Sequence, residues 1–353
     1  MGKKKLIIDT DPGIDDAMAI LAAFNSEEVE VIGICTIFGN VKTSTATDNA
    51  FILLNLAGQP EVPVAEGAST SLKGLTKEHI ADFVHGTDGF GNTSQAAVDG
   101  RTVGKHAAEW LVDTVNTHPG DISVLALGPL TNIALALQLD ERVTRNMAEL
   151  VVLGGAFFVN GNVNPAGVCP PARMLDAALL ALHETDKLTL MLLLTRLCFG
   201  WAVEANIFSD PEAADLVFGH EANIRVVGLD VTHSCQFTAE DLQGLAGQGR
   251  FGTFLQQITR FYLQYHRDAY NMEAVYVHDP TAFAAVIQPE RFTWKAGPLR
   301  VLTEGIARGM TVLDAGSKKW NSPNGWTGRP KVQVAVAVQG EPVVASLLQR
   351  MRA

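Results

Sequence analysis

Hydrophobic and polar positions switch between two periods along the first half of the chain. Short apolar runs rich in β-branched residues occur at 6–9 (LIID), 30–39 (EVIGICTIFG), 121–127 (DISVLAL) and 149–157 (ELVVLGGAF), and each reads as a buried strand. Between them DDAMAILAAF at 15–24, TATDNAFILLNLAG at 45–58 and the stretch from the Gly-Pro turn to 137 carry apolar residues at helical spacing. The second of these stops at Gly58, a helix C-terminal signal. Buried strands alternating with helices predict an α/β fold, an open and mostly parallel β-sheet flanked by helices. In that architecture ligands bind beyond the carboxyl ends of the strands. Farther on, the pattern predicts a long helix near 251–266, a VYVHDP segment at 275–280 and a late strand at 332–338. No repeat, low-complexity tract or linker divides the sequence, so residues 1–353 read as one domain with a C-terminal elaboration.

Composition narrows the partners. Hydrophobic residues make up 47% of the 353 and charged ones 18%, a globular balance. The formal charge of −11 argues against nucleic acid or an anionic membrane, either of which needs a concentrated basic patch. Lys3-Lys4-Lys5 is the only basic run, and it reads as a solvated strand end. Four cysteines at scattered spacings (35, 169, 198 and 235) suggest neither a disulfide framework nor a zinc motif. No apolar signal region precedes Asp9. The most apolar stretch, 188–203, is interrupted by Arg196 and falls short of the roughly 20 residues of a membrane helix. The expectation is a soluble, cytoplasmic protein.

The strongest chemical signal is IIDTDPGIDDA, where Asp9, Asp11, Asp15 and Asp16 fall within eight positions across a strand end, a Pro-Gly turn and a helix start. Carboxylates this close repel one another unless something neutralises them. The helix N-terminus supplies only about half an elementary charge. A hard divalent cation is the economical solution, and an oxygen-only donor set points to calcium or magnesium. The competing reading makes Asp15 or Asp16 a helix cap and Asp9 structural. Val277-His278-Asp279-Pro280 brings a further carboxylate with a histidine beside it.

With these residues in view, the chain resembles the calcium-dependent nucleoside hydrolases, the plant branch most. DTDPGIDDA at 9–17, GGAFFVNGNVNPA at 154–166, EANIFSDPEAA at 204–214 and VHDP at 277–280 carry the likeness, which runs along nearly the whole sequence. The resemblance implies an open α/β fold with a Rossmann-like core. It implies hydrolysis of the N-glycosidic bond of ribonucleosides to free base and ribose, and a homodimer or homotetramer. Asp11, Asp16 and Asp279, with the backbone carbonyl of Leu127 in the ALGPLTN turn, would bind calcium, which would also hold a water and the ribose 2′ and 3′ hydroxyls. Asp15 would be the base that takes a proton from that water. Asn40, Asn162, Glu204 and Asn206 would grip the sugar. His278 would serve as acid to the leaving base, a role suited to an imidazole near pKa 6.5, and His85 matches another histidine on the base side.

Each polar residue also has a plainer reading. Asn40 follows a glycine after a strand, where Asn commonly makes a turn, and Glu204 and Asn206 precede a helix start and could be local hydrogen-bonding structure. Tyr262, Tyr265, His266 and Tyr270 form a polar-aromatic stretch that either walls the base pocket or belongs to the core.

One segment departs from the family pattern. The family runs almost directly from Asn-Pro-Ala into Glu-Ala-Asn, whereas here residues 167–203 intervene where one residue is expected, a surplus of 36. The segment contains a dense aliphatic patch at 188–194, unlike a polar surface loop. It reads either as an insertion of two short helices, roughly 173–183 and 187–199, or as a retained intron. Codon degeneracy at Gly167, Ala202 and Val203 permits in-frame splice borders, and the second reading is favoured. Two other functions remain in contention. A haloacid-dehalogenase-like phosphatase would use Asp9 as nucleophile with magnesium. A calcium-binding scaffold or regulatory partner would follow if the insertion abolishes catalysis.

Overall fold

The computed structural model describes residues 2–77, 80–163, 203–316, 319 and 321–352. β1 (Lys4–Thr10) becomes fully buried from Leu6 onward and lies third from one edge of a nine-stranded sheet. The other strands are β2 (Val29–Thr36), β3 (Val64–Glu66), β4 (Ile122–Ala126), β5 (Glu149–Leu153), β6 (Ile224–Val227), β9 (Phe292–Val301), β10 (Thr311–Leu313) and β11 (Lys331–Val338). Their order is β10-β9-β11-β6-β5-β4-β1-β2-β3. From β3 across to β11 all neighbours are parallel, and β9 adds antiparallel to β11. β7 (Gln236–Thr238) and β8 (Ala274–Tyr276) form a separate antiparallel pair.

The chain moves outward from β1 to β2 and β3 on one side, then restarts at β4 and moves the other way. The helix after β1 (Ile14–Phe24) packs into the apolar layer on one face of the sheet, and the helix after β4 (Thr131–Leu139) packs into the layer on the other. Between their diverging ends a crevice opens beyond β1 and β4, the usual binding place of an open α/β sheet.

The expected elements form, with shifts that have physical causes. The strand expected over 30–39 stops at Thr36, after which Gly39 N–H bonds Val41 O and turns Asn40 inward. The strand expected over 149–157 stops at Leu153, because the chain turns at Gly155, whose φ of +84° suits only glycine. Gly58 caps its helix in the left-handed conformation, as expected. The lysine run is not simply a solvated end: Lys4 pairs with Glu149 at 3.0 Å and Lys5 with Asp121 at 2.6 Å. Cys35 and Cys235 are buried free thiols. Among the described residues no helix is long and apolar enough to cross a membrane. The two helices expected within 167–203, the apolar run there, Cys169 and Cys198 lie outside the described residues.

Candidate active site

β1 delivers the acidic motif to the crevice and the loops after β2, β4, β5 and β8 surround it. Asp11, Asp15, Asp16 and Asp279 are all buried. Asp16, in the first turn of the helix Ile14–Phe24, is fully engaged: its Oδ1 accepts from Thr10 Oγ1 at 2.5 Å, and its Oδ2 from Gly13 N–H at 3.0 Å and Asn40 Nδ2 at 2.9 Å. Asp11 Oδ2 accepts from the Asn40 backbone N–H at 2.5 Å. A side chain at Gly39 would place its Cβ 1.9 Å from that carboxylate oxygen, so glycine is needed there. Likewise a Cβ at Gly13 would lie 2.6 Å from His85 Nδ1.

Asp11, Asp15 and Asp279 each keep Oδ1 buried without a hydrogen-bond partner. Oxygens of Asp15, Asp16 and Asp279 lie within 4.8 Å of one another. Burial and mutual repulsion push the carboxyls of Asp11 and Asp279 well above the usual range and that of Asp15 to about 7. Asp15 and Asp279 are close enough to hydrogen bond through a shared proton. Orphaned oxygens and repelling carboxylates are what a divalent cation corrects, since its charge reverses the local titration. The donor set therefore fits a hard metal ion. The tightest trio contains Asp15 where the resemblance implies Asp11, which places Asp15 against the metal position as well.

The remaining candidates converge on one cavity, lined by Asp15, Asn40, His85, Leu127, Asn162, Glu204, Asn206, His278 and Asp279, with Asp11 and Asp16 behind it. Glu204 caps the helix Ala205–Ser209, accepting from the N–H groups of Asn206 and Ile207 while Oε2 also takes Gly155 N–H at 3.1 Å. Burial raises its carboxyl, and those donors oppose the shift. Asn206 Nδ2 donates to the Leu127 carbonyl at 2.6 Å. On either side of the undescribed stretch, Asn162 N–H bonds Val203 O at 3.1 Å, so the sugar-side candidates from both flanks meet.

His85 Nδ1 accepts from Ile14 N–H at 3.1 Å. The ring is neutral, because burial lowers its pKa to about 3. Its 3.8 Å approach to Asp15 Oδ1 is therefore not an ion pair. Tyr262 stacks on His85 and points its hydroxyl at Asp15 Oδ2, 3.4 Å away. Tyr265, His266 and Tyr270 join Tyr262 in the cavity wall. His278 Nδ1 lies 2.8 Å from Thr232 Oγ1. Burial, with His233, His266 and His85 nearby, holds His278 well below the ordinary imidazole value.

Asp9 does not line the cavity: it is fully buried and its Oδ1 accepts from Asn132 Nδ2 at 2.7 Å. An attacking aspartyl nucleophile needs access to substrate, so the phosphatase reading fails on this placement. Lys77 is a charged cavity residue that the sequence did not signal. Its Nζ donates to Gly39 O at 2.9 Å, and its charge faces Asp11 and Glu204. A lone lysine in a polar loop carries no motif.

A family model described as "Inosine-uridine preferring nucleoside hydrolase" matches residues 6–170 and 194–345, leaving 171–193 outside. The chain is 47% identical to "Probable uridine nucleosidase 2" of Oryza sativa subsp. japonica, covering 97% of this chain and 91% of the relative. It is 42% identical to "Uridine nucleosidase 1" of Arabidopsis thaliana, covering 98% and 92%. A solved plant nucleoside hydrolase superposes with a TM-score of 0.87 at 43% identity, covering 99% of each chain.

Proposed function

This chain belongs to the inosine-uridine preferring nucleoside hydrolases, and from that premise we propose that it hydrolyses the N-glycosidic bond of ribonucleosides to free base and ribose. The observation that carries this reading is the buried carboxylate cluster, with three orphaned oxygens, at and behind the floor of a cavity whose walls include amide, aromatic and aliphatic side chains. Asp11, Asp16, Asp279 and the Leu127 carbonyl would hold the metal, and an all-oxygen set with flexible coordination favours calcium. When bound, the ion supplies positive charge to the cluster and Lewis-acid polarisation of an oxygen.

The side chains account for the rest of the reaction. Asp15 takes the proton of the attacking water, a task that depends on close geometry. As the C1′–N bond lengthens, the sugar acquires oxocarbenium character. Carboxylates and carbonyl dipoles fixed around it stabilise that charge in a water-poor site. Asn40, Asn162, Glu204 and Asn206 bind ribose hydroxyls. His85 and His278 face the base, and the Tyr262–Tyr270 stretch offers rings against which it stacks. The same resemblance implies a homodimer or homotetramer, which light scattering decides.

Ribose release by the full chain from uridine, inosine and xanthosine, with and without a chelator, tests the reading. The expected result is release that the chelator stops and added calcium restores. A folded protein that releases ribose from none of them overturns it. A second reading, a calcium-binding chain inactivated by its 167–203 segment, draws on the stretch 171–193 that the family model does not match. Calcium binding without ribose release favours that one.

A further inference from the structure

Lys77 carries an inference that rests on the nucleoside-hydrolase reading and deepens it. The residue follows a tight turn in which Ser71 N–H bonds Leu75 O at 2.9 Å and Gly74 N–H bonds Ser71 O at 2.7 Å. That turn is fastened to the start of the helix Pro211–Val217: Leu72 N–H donates to the Asp210 carboxylate at 2.6 Å, and Lys73 pairs with Glu212 at 2.8 Å. From this anchorage Lys77 reaches the cavity, where its Nζ donates to Gly39 O at 2.9 Å. An ammonium carries three donors. Among the described residues Nζ has no second hydrogen bond, so its remaining N–H groups are left for what the cavity holds. The carboxylates of Asp11 and Glu204 face the charge without closing an ion pair with it.

We propose that Lys77 is a sugar-binding residue whose ammonium donates to the 5′ hydroxyl of ribose. On the functional reading the 2′ and 3′ hydroxyls belong to the metal, and like-charge repulsion keeps the ammonium off an oxygen that a cation already holds. The 5′ hydroxyl is the one left. Glu204 supplies the other half of the contact: among the described residues its Oε1 accepts only the Asn206 N–H, so a lone pair remains for the hydroxyl proton. The hydroxyl oxygen then accepts from Lys77 while its proton goes to Glu204. The 5′ hydroxyl lies away from the bond that breaks, so this contact is equal in substrate and transition state and its loss falls on KM. An ammonium beside a sugar that gains positive charge does not aid the chemical step.

Lys77→Met keeps the apolar stem and removes the donor. Uridine and 5′-deoxyuridine should be compared as substrates of wild type and variant. In wild type, loss of the 5′ hydroxyl should lower kcat/KM by roughly tenfold or more; in Lys77→Met that penalty should shrink roughly tenfold, the worth of one hydrogen bond to a charged group. With uridine the variant's loss should lie in KM. An undiminished penalty, or a uridine loss confined to kcat, overturns the proposal. Calcium titration separates the contact from damage to the metal site: the variant should bind calcium no more weakly than wild type, because a cation has left the neighbourhood of the ligands. Weaker calcium binding overturns the proposal. Binding of methyl β-ribofuranoside and its 5-deoxy analogue to the calcium-loaded proteins should repeat the same comparison without turnover. If wild type releases ribose from no nucleoside, the functional reading fails, while that binding comparison still decides the contact; a wild type that binds neither sugar overturns it.

Discussion

Asp9 and Asp15 lie six positions apart, and burial pushes both carboxyls to about 7, yet only Asp15 faces the cavity. Asp15→Asn should lower ribose release by roughly 10² to 10⁴ fold, the range for a positioned base. Asp9→Asn keeps an acceptor for Asn132 and should stay within about tenfold of wild type. Steady-state assays of both variants check the order, and the reverse order would restore the aspartyl-nucleophile reading. At this scale the sequence is most informative where chemistry is concentrated in a short motif, as in DTDPGIDDA and VHDP. Lys77 escapes such a reading because its significance comes from contacts far along the chain, with Gly39 and Glu204. Nothing in its sequence neighbourhood differs from an ordinary loop.

Strands and helix starts are legible as elements because hydrophobic period and capping residues agree over them. SDPEAA announces a helix, and Asp210 does cap Pro211–Val217, accepting from Ala213 N–H at 3.1 Å. Less visible is that the same carboxylate also accepts from Leu72 N–H at 2.6 Å and Thr131 Oγ1 at 2.7 Å, tying the loop before Lys77 to the helix after β4. Asp210→Ala should therefore cost about 3 kcal/mol, a cap of about 1 kcal/mol plus two buried donors left unpaired. Urea unfolding checks this, and a loss no larger than a cap alone would show that the tie to Leu72 and Thr131 is energetically idle. The exact strand ends were not legible, because apolar residues continue past Thr36 and Leu153 into turns whose direction glycines and tertiary contacts set. Nor did the pattern reveal that β8, which ends just before VHDP, pairs with β7 outside the main sheet.

For the whole molecule, strand order and the crevice between β1 and β4 belong to topology, which periodicity does not specify. The placement of Glu204 and Asn206 also had to be seen, since Asn162 N–H meets Val203 O across the undescribed stretch. A chain lacking residues 167–202 should keep its sugar-binding groups and melt higher, gaining up to about 2 kcal/mol from the shorter connection. Equal melting temperatures and equal turnover of the two chains would contradict this. The acidic cluster sets a pH signature. Burial raises the carboxyls of Asp9 and Asp15 in the folded state to about 7 from their ordinary value of 3.8, so without metal the folded state binds more protons between these limits. Stability of the chelated protein should thus fall as pH rises from about 4 to 7. Saturating calcium, which holds its ligands ionised, should abolish or reverse that slope; thermal melts across the range report both.

The account stands most directly on the identity of the metal site with the catalytic site. Chelated protein titrated with calcium, with binding followed by calorimetry and uridine hydrolysis by ribose release, puts both on one axis. The account predicts one calcium per chain, with activity recovering at the same midpoint and Asp279→Ala losing both together. Full ribose release from protein shown to be free of calcium would contradict it.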